Sequence, residues 1–134
     1  MTYGTINVDT LTASTGVLAT QNGMTGIAKA WVRFNGGSTP TIAASYNVTS
    51  VTYNAAGDYT ITFTTAMPSA NYCITGTCST YSNSYAGFMC PNRDASGGTY
   101  VAPTTTTCRI NTMYQQSYAA ADSNNPVYVA IFSS

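Results

Sequence analysis

Only 9 of the 134 residues are Leu, Glu, Lys, Arg or Gln, the straight-chain residues that fill helices, whereas 55 are Val, Ile, Thr, Tyr, Phe or Trp. The first group keeps its rotamer freedom in a helix and the second packs best on a pleated surface, so the imbalance predicts an all-β chain. The length corresponds to one domain. The remaining surface is built from uncharged groups: Thr, Ser, Asn and Gln make up 51 residues, and charged residues are 6%. A hydrophobic content of 44% with zero net charge is unlike the polar, highly charged signature of disorder, so the chain is read as folded.

Charge also excludes function classes. The four cations, Lys29, Arg33, Arg93 and Arg109, are scattered and balanced by Asp9, Asp58, Asp94 and Asp122. Nucleic-acid binding needs clustered cations to displace counterions, so no nucleic-acid partner is expected. The chain has no His and no Glu, which removes Ser-His and Cys-His nucleophile pairs and every glutamate acid or base. No run of about 18 apolar residues predicts membrane insertion, and the start Met1-Thr2-Tyr3-Gly4-Thr5-Ile6 lacks the pattern that directs export.

Along the chain, residues 1–23 carry few apolar side chains, and Ile6, Val8, Leu11, Val17 and Leu18 among them have no evident partner within the domain. This part reads as an extended oligomerisation or attachment segment, with Ile6, Val8, Leu11, Val17 and Leu18 as the candidate oligomer interface and residues 24–134 as a single antiparallel β-sandwich. A nearly uncharged surface suits a subunit hidden in an assembly. From residue 27 the alternation is regular: Ala28, Ala30, Val32 and Phe34 face one way and Ile27, Lys29, Trp31 and Arg33 the other. A second strand is expected over 45–53 and a third over 59–65, the latter with Tyr59, Ile61 and Phe63 facing inward. Asn54-Ala55-Ala56-Gly57-Asp58 between them predicts a hairpin, because Gly can take positive φ and Asn and Asp cap the turn. Further strands are expected over 72–77, 85–90, 99–102, 106–112 and 127–132, the last apolar on both faces and so central or covered. Residues 91–98 and 115–126 read as exposed loops.

The blocks Ala30-Trp31-Val32-Arg33-Phe34-Asn35-Gly36, Ala44-Ser45-Tyr46-Asn47-Val48-Thr49-Ser50-Val51 and Gly57-Asp58-Tyr59-Thr60-Ile61-Thr62-Phe63, followed by Ala66-Met67-Pro68 and Asn71-Tyr72, are similar in order and spacing to a module frequent in bacteriophage tail fibre and virion structural proteins. The lead-in Gly4-Thr5-Ile6-Asn7-Val8 and Asn22-Gly23 resembles that of marine-phage relatives. The resemblance covers mainly residues 24–76 and implies a virion surface protein made in the host bacterial cytoplasm, usually a homotrimer near a fibre tip, in contact with other tail or capsid proteins. The expected role is attachment to the host-cell surface, with glycan as the expected receptor. A capsid decoration or head-fibre protein and, more remotely, a glycan depolymerase are the alternatives.

Candidate chemistry is sparse. Cys73, Cys78, Cys90 and Cys108 have neither the paired spacing of a zinc knuckle nor a His to complete one, so no metal and no cofactor is expected, and the thiols are read as free and mostly buried. One bridge between them is the alternative. A glycosidase needs two carboxylates about the scissile bond, and only Asp94 and Asp122 fall in long loops, where turn capping is the commoner use of Asp. The chain is therefore not expected to be an enzyme. Trp31 between Lys29 and Arg33 suggests a sugar-stacking surface, but a core or subunit-interface place is preferred for it. The second half is dense in Tyr, Asn and Gln, the mixture that antibody loops use for contact. Tyr81, Asn83, Tyr85, Arg93, Asp94, Tyr114, Gln116, Tyr118 and Asn124 are the candidate receptor-binding residues.

Overall fold

In the computed structural model, which describes residues 27–79, 87–94, 98–114, 122 and 126–133, the alternating stretch around Trp31 becomes strand β1 (Ala28–Asn35). It is followed by β2 (Thr41–Tyr46), β3 (Val48–Ala55), β4 (Asp58–Phe63), β5 (Cys73–Cys78), β6 (Gly87–Pro91), β7 (Thr107–Tyr114) and β8 (Pro126–Phe132). These strands form two four-stranded antiparallel sheets, β2-β1-β8-β5 and β3-β4-β7-β6, and the described residues contain no helix. Segment 1–23, with Ile6, Val8, Leu11, Val17 and Leu18, lies outside the described residues.

Both sheets contribute one face to a shared core, as a β-sandwich requires. Val32 and Phe34 of β1 and Val127, Val129 and Ile131 of β8 meet Tyr59, Ile61 and Phe63 of β4 and Cys108 and Ile110 of β7, all buried. The inward set expected for 59–63 is therefore the observed one. Aromatic edges tie the layers together: the Phe34 and Tyr59 ring centroids are 5.3 Å apart at 68°, and those of Phe63 and Tyr72 are 5.8 Å apart at 81°. Edge-to-face pairs of this kind add about 0.5–1.5 kcal/mol beyond the area they bury.

The expected hairpin joins β3 to β4 through Ala56 and Gly57, with Gly57 at φ 68°. Its tip is held from outside, because the Gly57 carbonyl accepts from Thr112 N–H at 2.8 Å and from Asn111 Nδ2 at 3.3 Å. β8 is central, between β1 and β5.

Three expectations need correction. The continuous strand expected over 45–53 is two strands in different sheets, split at Asn47, whose φ of 54° turns the chain from one layer to the other. Asn tolerates this left-handed conformation better than other non-glycine residues. Its side chain then bridges the layers: Nδ2 donates to the Lys29 and Thr65 carbonyls at 3.1 Å each, and Oδ1 accepts from Thr65 N–H at 2.7 Å. Residues 99–102 form no strand; Tyr100 makes an isolated bridge to Arg93, and the Thr104 hydroxyl beyond Pro103 accepts from Thr106 and Thr107 N–H, which closes a local turn in place of a ladder. Lys29 does not share the open face of Trp31: a register shift between Ala28 and Ala30 leaves it 3% exposed.

Asn47→Ala should cost about 2–3 kcal/mol, from three lost hydrogen bonds and the penalty of alanine in the left-handed region. Asn47→Gly, which keeps the angle, should cost about 1 kcal/mol less. Urea denaturation of the two variants checks the order.

Candidate functional site

Trp31 and Arg33 alternate with the buried Ala30, Val32 and Phe34, so the strand period turns them outward from sheet β2-β1-β8-β5. Trp31 is 40% exposed, so of the core and subunit-interface places preferred for it the core is excluded, because the inward positions of β1 are already filled. On β8 the same rule turns Tyr128 and Ala130 outward, with Tyr128 44% exposed. On β5 it turns Thr75 and Thr77 outward.

Register sets these residues side by side. Arg33 lies opposite Ala44 of β2 and Tyr128 of β8, and Tyr128 lies opposite Thr77 of β5. Trp31 lies opposite Ala130, and Ala130 opposite Thr75. Trp31 and Tyr128 are thus diagonal neighbours, about 7–8 Å apart in such a ladder and within reach of two large rings. The small residues Ala44, Gly76 and Ala130 leave a shallow, open depression of about 370 Å³ between the larger side chains. Gly76 also allows close approach beneath, since a β-carbon there would lie 2.9 Å from the Met89 sulfur and closer still to the Tyr128 carbonyl.

The Arg33 guanidinium carbon stands 5.9 Å from the Tyr128 ring centroid, a cation–π contact that orients the side chain along the face. Its position contrasts with the other three cations. Lys29 is buried, Arg109 is forked onto Asp58 at 2.7 and 2.6 Å, and Arg93 points Nη1 at the Met113 sulfur 3.7 Å away. No carboxylate among the described residues lines the depression.

The candidate loop residues fare differently. Tyr81, Asn83, Tyr85, Gln116, Tyr118 and Asn124 lie outside the described residues. Tyr114 closes β7 opposite Gly87. Arg93 and Asp94 share one turn: Asp94 Oδ1 accepts from Thr99 N–H at 3.0 Å, and a β-carbon on Gly98, at φ 68°, would come 2.5 Å from the Arg93 guanidinium. Asp122 is tied to the β3–β4 hairpin, accepting from Gly57 N–H at 2.7 Å, Tyr59 Oη at 3.2 Å and Tyr53 Oη at 3.4 Å. Asp94 therefore has the local capping use of Asp, whereas Asp122 accepts from a hairpin more than 60 residues away in sequence, and the two are not brought together as a pair.

The four cysteines are free, with Cys78 and Cys108 buried, Cys90 half-buried and Cys73 exposed. Burial pushes the Cys108 thiol up to about 12, far from a reactive thiolate. Tyr128, Thr75 and Thr77 were not singled out from the sequence: period-two reading sets Thr75 with Thr77 and Tyr128 with Ala130 on one face of their strands, but 127–132 is apolar on both faces and gives no sign of which is outward. Comparison with known protein families, with curated proteins and with solved structures returned no match.

Proposed function

We propose that this chain is a bacteriophage virion appendage protein, a tail-fibre or fibre-tip subunit, that attaches to glycan on the host-cell surface. The observation that carries the reading is the open face bearing Trp31 and Tyr128 on a regular β framework. Sugar rings present C–H faces that stack on exposed aromatic rings, and their hydroxyls need neutral donors and acceptors, which Thr75 and Thr77 supply at the rim. The virion assignment draws its support from the sequence blocks around Trp31, Asn47 and Asp58 that resemble tail-fibre modules.

A homotrimeric assembly belongs to the same proposal. Strand β2 is the edge of its sheet, and Thr41 to Ser45 are exposed without a charge among them. Uncharged edges of this kind invite pairing with another chain, and an assembly that covers them removes the liability. The same edge would serve packing within a capsid shell, so copy number in purified virions separates a tail from a capsid location: hundreds of copies would mean the capsid.

Trp31→Ala should reduce binding to a responsive glycan by about five- to 150-fold, the scale of one lost ring-stacking contact of about 1–3 kcal/mol. The melting temperature should move little, because the side chain is outside the core. A glycan array followed by titration checks both. An array with no retained glycan, or an unchanged affinity for Trp31→Ala, would overturn the reading.

A further inference from the structure

Arg33 is out of keeping with the rest of this molecule. In a chain that is almost free of charge, it stands on the open face, stacked over Tyr128, while the other cations are buried or directed to partners elsewhere. A guanidinium placed beside the depression in this way brings a planar fork of N–H donors to the open face, the group that accepts a carboxylate through two parallel hydrogen bonds. With Trp31 diagonal to Tyr128, one neighbouring position offers a ring platform and the other a fork of donors.

We infer that the Trp31–Arg33–Tyr128 face binds acidic sugar, a hexuronate unit whose ring stacks on the aromatic side chains and whose carboxylate is held by Arg33. This deepens the proposed glycan attachment and rests on it. Charge complementarity selects this occupant over the alternatives. The depression is lined by one cation and no carboxylate, so a second copy docking this face onto itself would bring a second Arg33 into the contact with no acid there to neutralise either. A neutral sugar would satisfy the rings but leave the guanidinium donors to water. A uronate satisfies both.

The chain contains a single tryptophan, and it lies in this site, so its emission reports occupancy directly. The test is a fluorescence titration of the full chain with oligosaccharides of glucuronic, galacturonic and mannuronic acid, each beside its carboxyl-reduced counterpart. At least one uronate should bind about tenfold more tightly than its reduced form, the value of one charged hydrogen-bond pair. Arg33→Gln should abolish that preference while leaving affinity for the reduced sugar within a factor of about two, and Arg33→Lys, which keeps charge without the fork, should restore it only in part. Trp31→Tyr, which keeps a ring, should retain the preference, now followed by calorimetry.

Equal affinity for acidic and reduced sugars, or a preference that survives Arg33→Gln, overturns the acidic-sugar assignment and leaves glycan attachment standing. Failure of every sugar to change Trp31 emission, in a protein whose glycan-array binding is also insensitive to Trp31→Ala, overturns both. Emission already shifted to the blue and shielded from acrylamide in the free protein would show that another copy covers the face, which also overturns the assignment.

Discussion

Replacing Arg109 by alanine should destabilise the protein by about 3–5 kcal/mol, the range measured when one partner is removed from a buried ion pair. Asp58 begins β4 with its side chain 1% exposed, and Arg109 meets it with a fork, Nε at 2.7 Å and Nη2 at 2.6 Å, while Asn54 Nδ2 donates to the same carboxylate at 3.0 Å. Without Arg109 the carboxylate keeps its burial and loses its counter-charge. The converse change is milder. The Arg109 side chain is 27% exposed and can turn to water, so Asp58→Asn, which retains an acceptor, should cost no more than about 1–3 kcal/mol. Urea denaturation with an unchanged m-value would give both figures, and a loss below about 1 kcal/mol for Arg109→Ala would show that water reaches Asp58 after all.

Alkaline pH should remove stability through the buried thiols and phenols. Burial pushes the Cys108 thiol up to about 12 from its ordinary 9.0, and pushes Cys78 up as well. The Tyr59 phenol is raised by burial and then by the nearby Asp122 charge, and the Tyr72 phenol by burial. Tyr72 Oη also donates to the Thr104 and Thr107 carbonyls at 2.9 Å, which requires its proton. These are acids whose folded values exceed their unfolded ones, so the folded state holds protons that the unfolded chain releases. Their contribution is complete below about pH 9 and is lost progressively as pH rises toward 12, with Cys108 alone supplying a slope of about 1.4 kcal/mol per pH unit. Melting temperature should therefore be nearly flat from about pH 6 to 8 as far as these groups are concerned, and fall steeply above 9. Cys108→Ala should lower stability at neutral pH by opening a small cavity but flatten the alkaline limb, as followed by thermal melts in a reducing buffer. An alkaline slope identical to that of the parent would show that Cys108 is not among the groups that titrate on unfolding.

Much of the architecture is legible in residue order because one physical rule, alternation of side chains across a strand, acts locally. Tyr59, Ile61 and Phe63 declare their inward face without reference to any partner, and Gly57 declares the hairpin because few other residues adopt its φ of 68°. The division of strands between sheets is not local. Asn47 stands in an unbroken β-prone stretch, and its left-handed turn is stabilised by the Lys29 and Thr65 backbones, each 18 residues away. The ion pair of Asp58 with Arg109, 51 residues apart, and the anchoring of Asp122 to Gly57, 65 residues apart, are equally invisible to spacing, since both Asp residues sit in sequences typical of turns.

The candidate site divides along the same line. Alternation alone turns Trp31 and Arg33 to one face of β1, but a strand pattern has two faces and does not say which of them meets the core. That choice follows from packing: Val32 and Phe34 fill the space against Tyr59 of the opposite sheet, so Trp31 is left outside. Tyr128 comes beside Arg33 only because β8 pairs with β1 in one register, across 95 residues of chain. Local chemistry is written in the order of residues; the meeting of distant strands is set by the burial of a shared core, a free energy that belongs to the whole sandwich and to no segment of it.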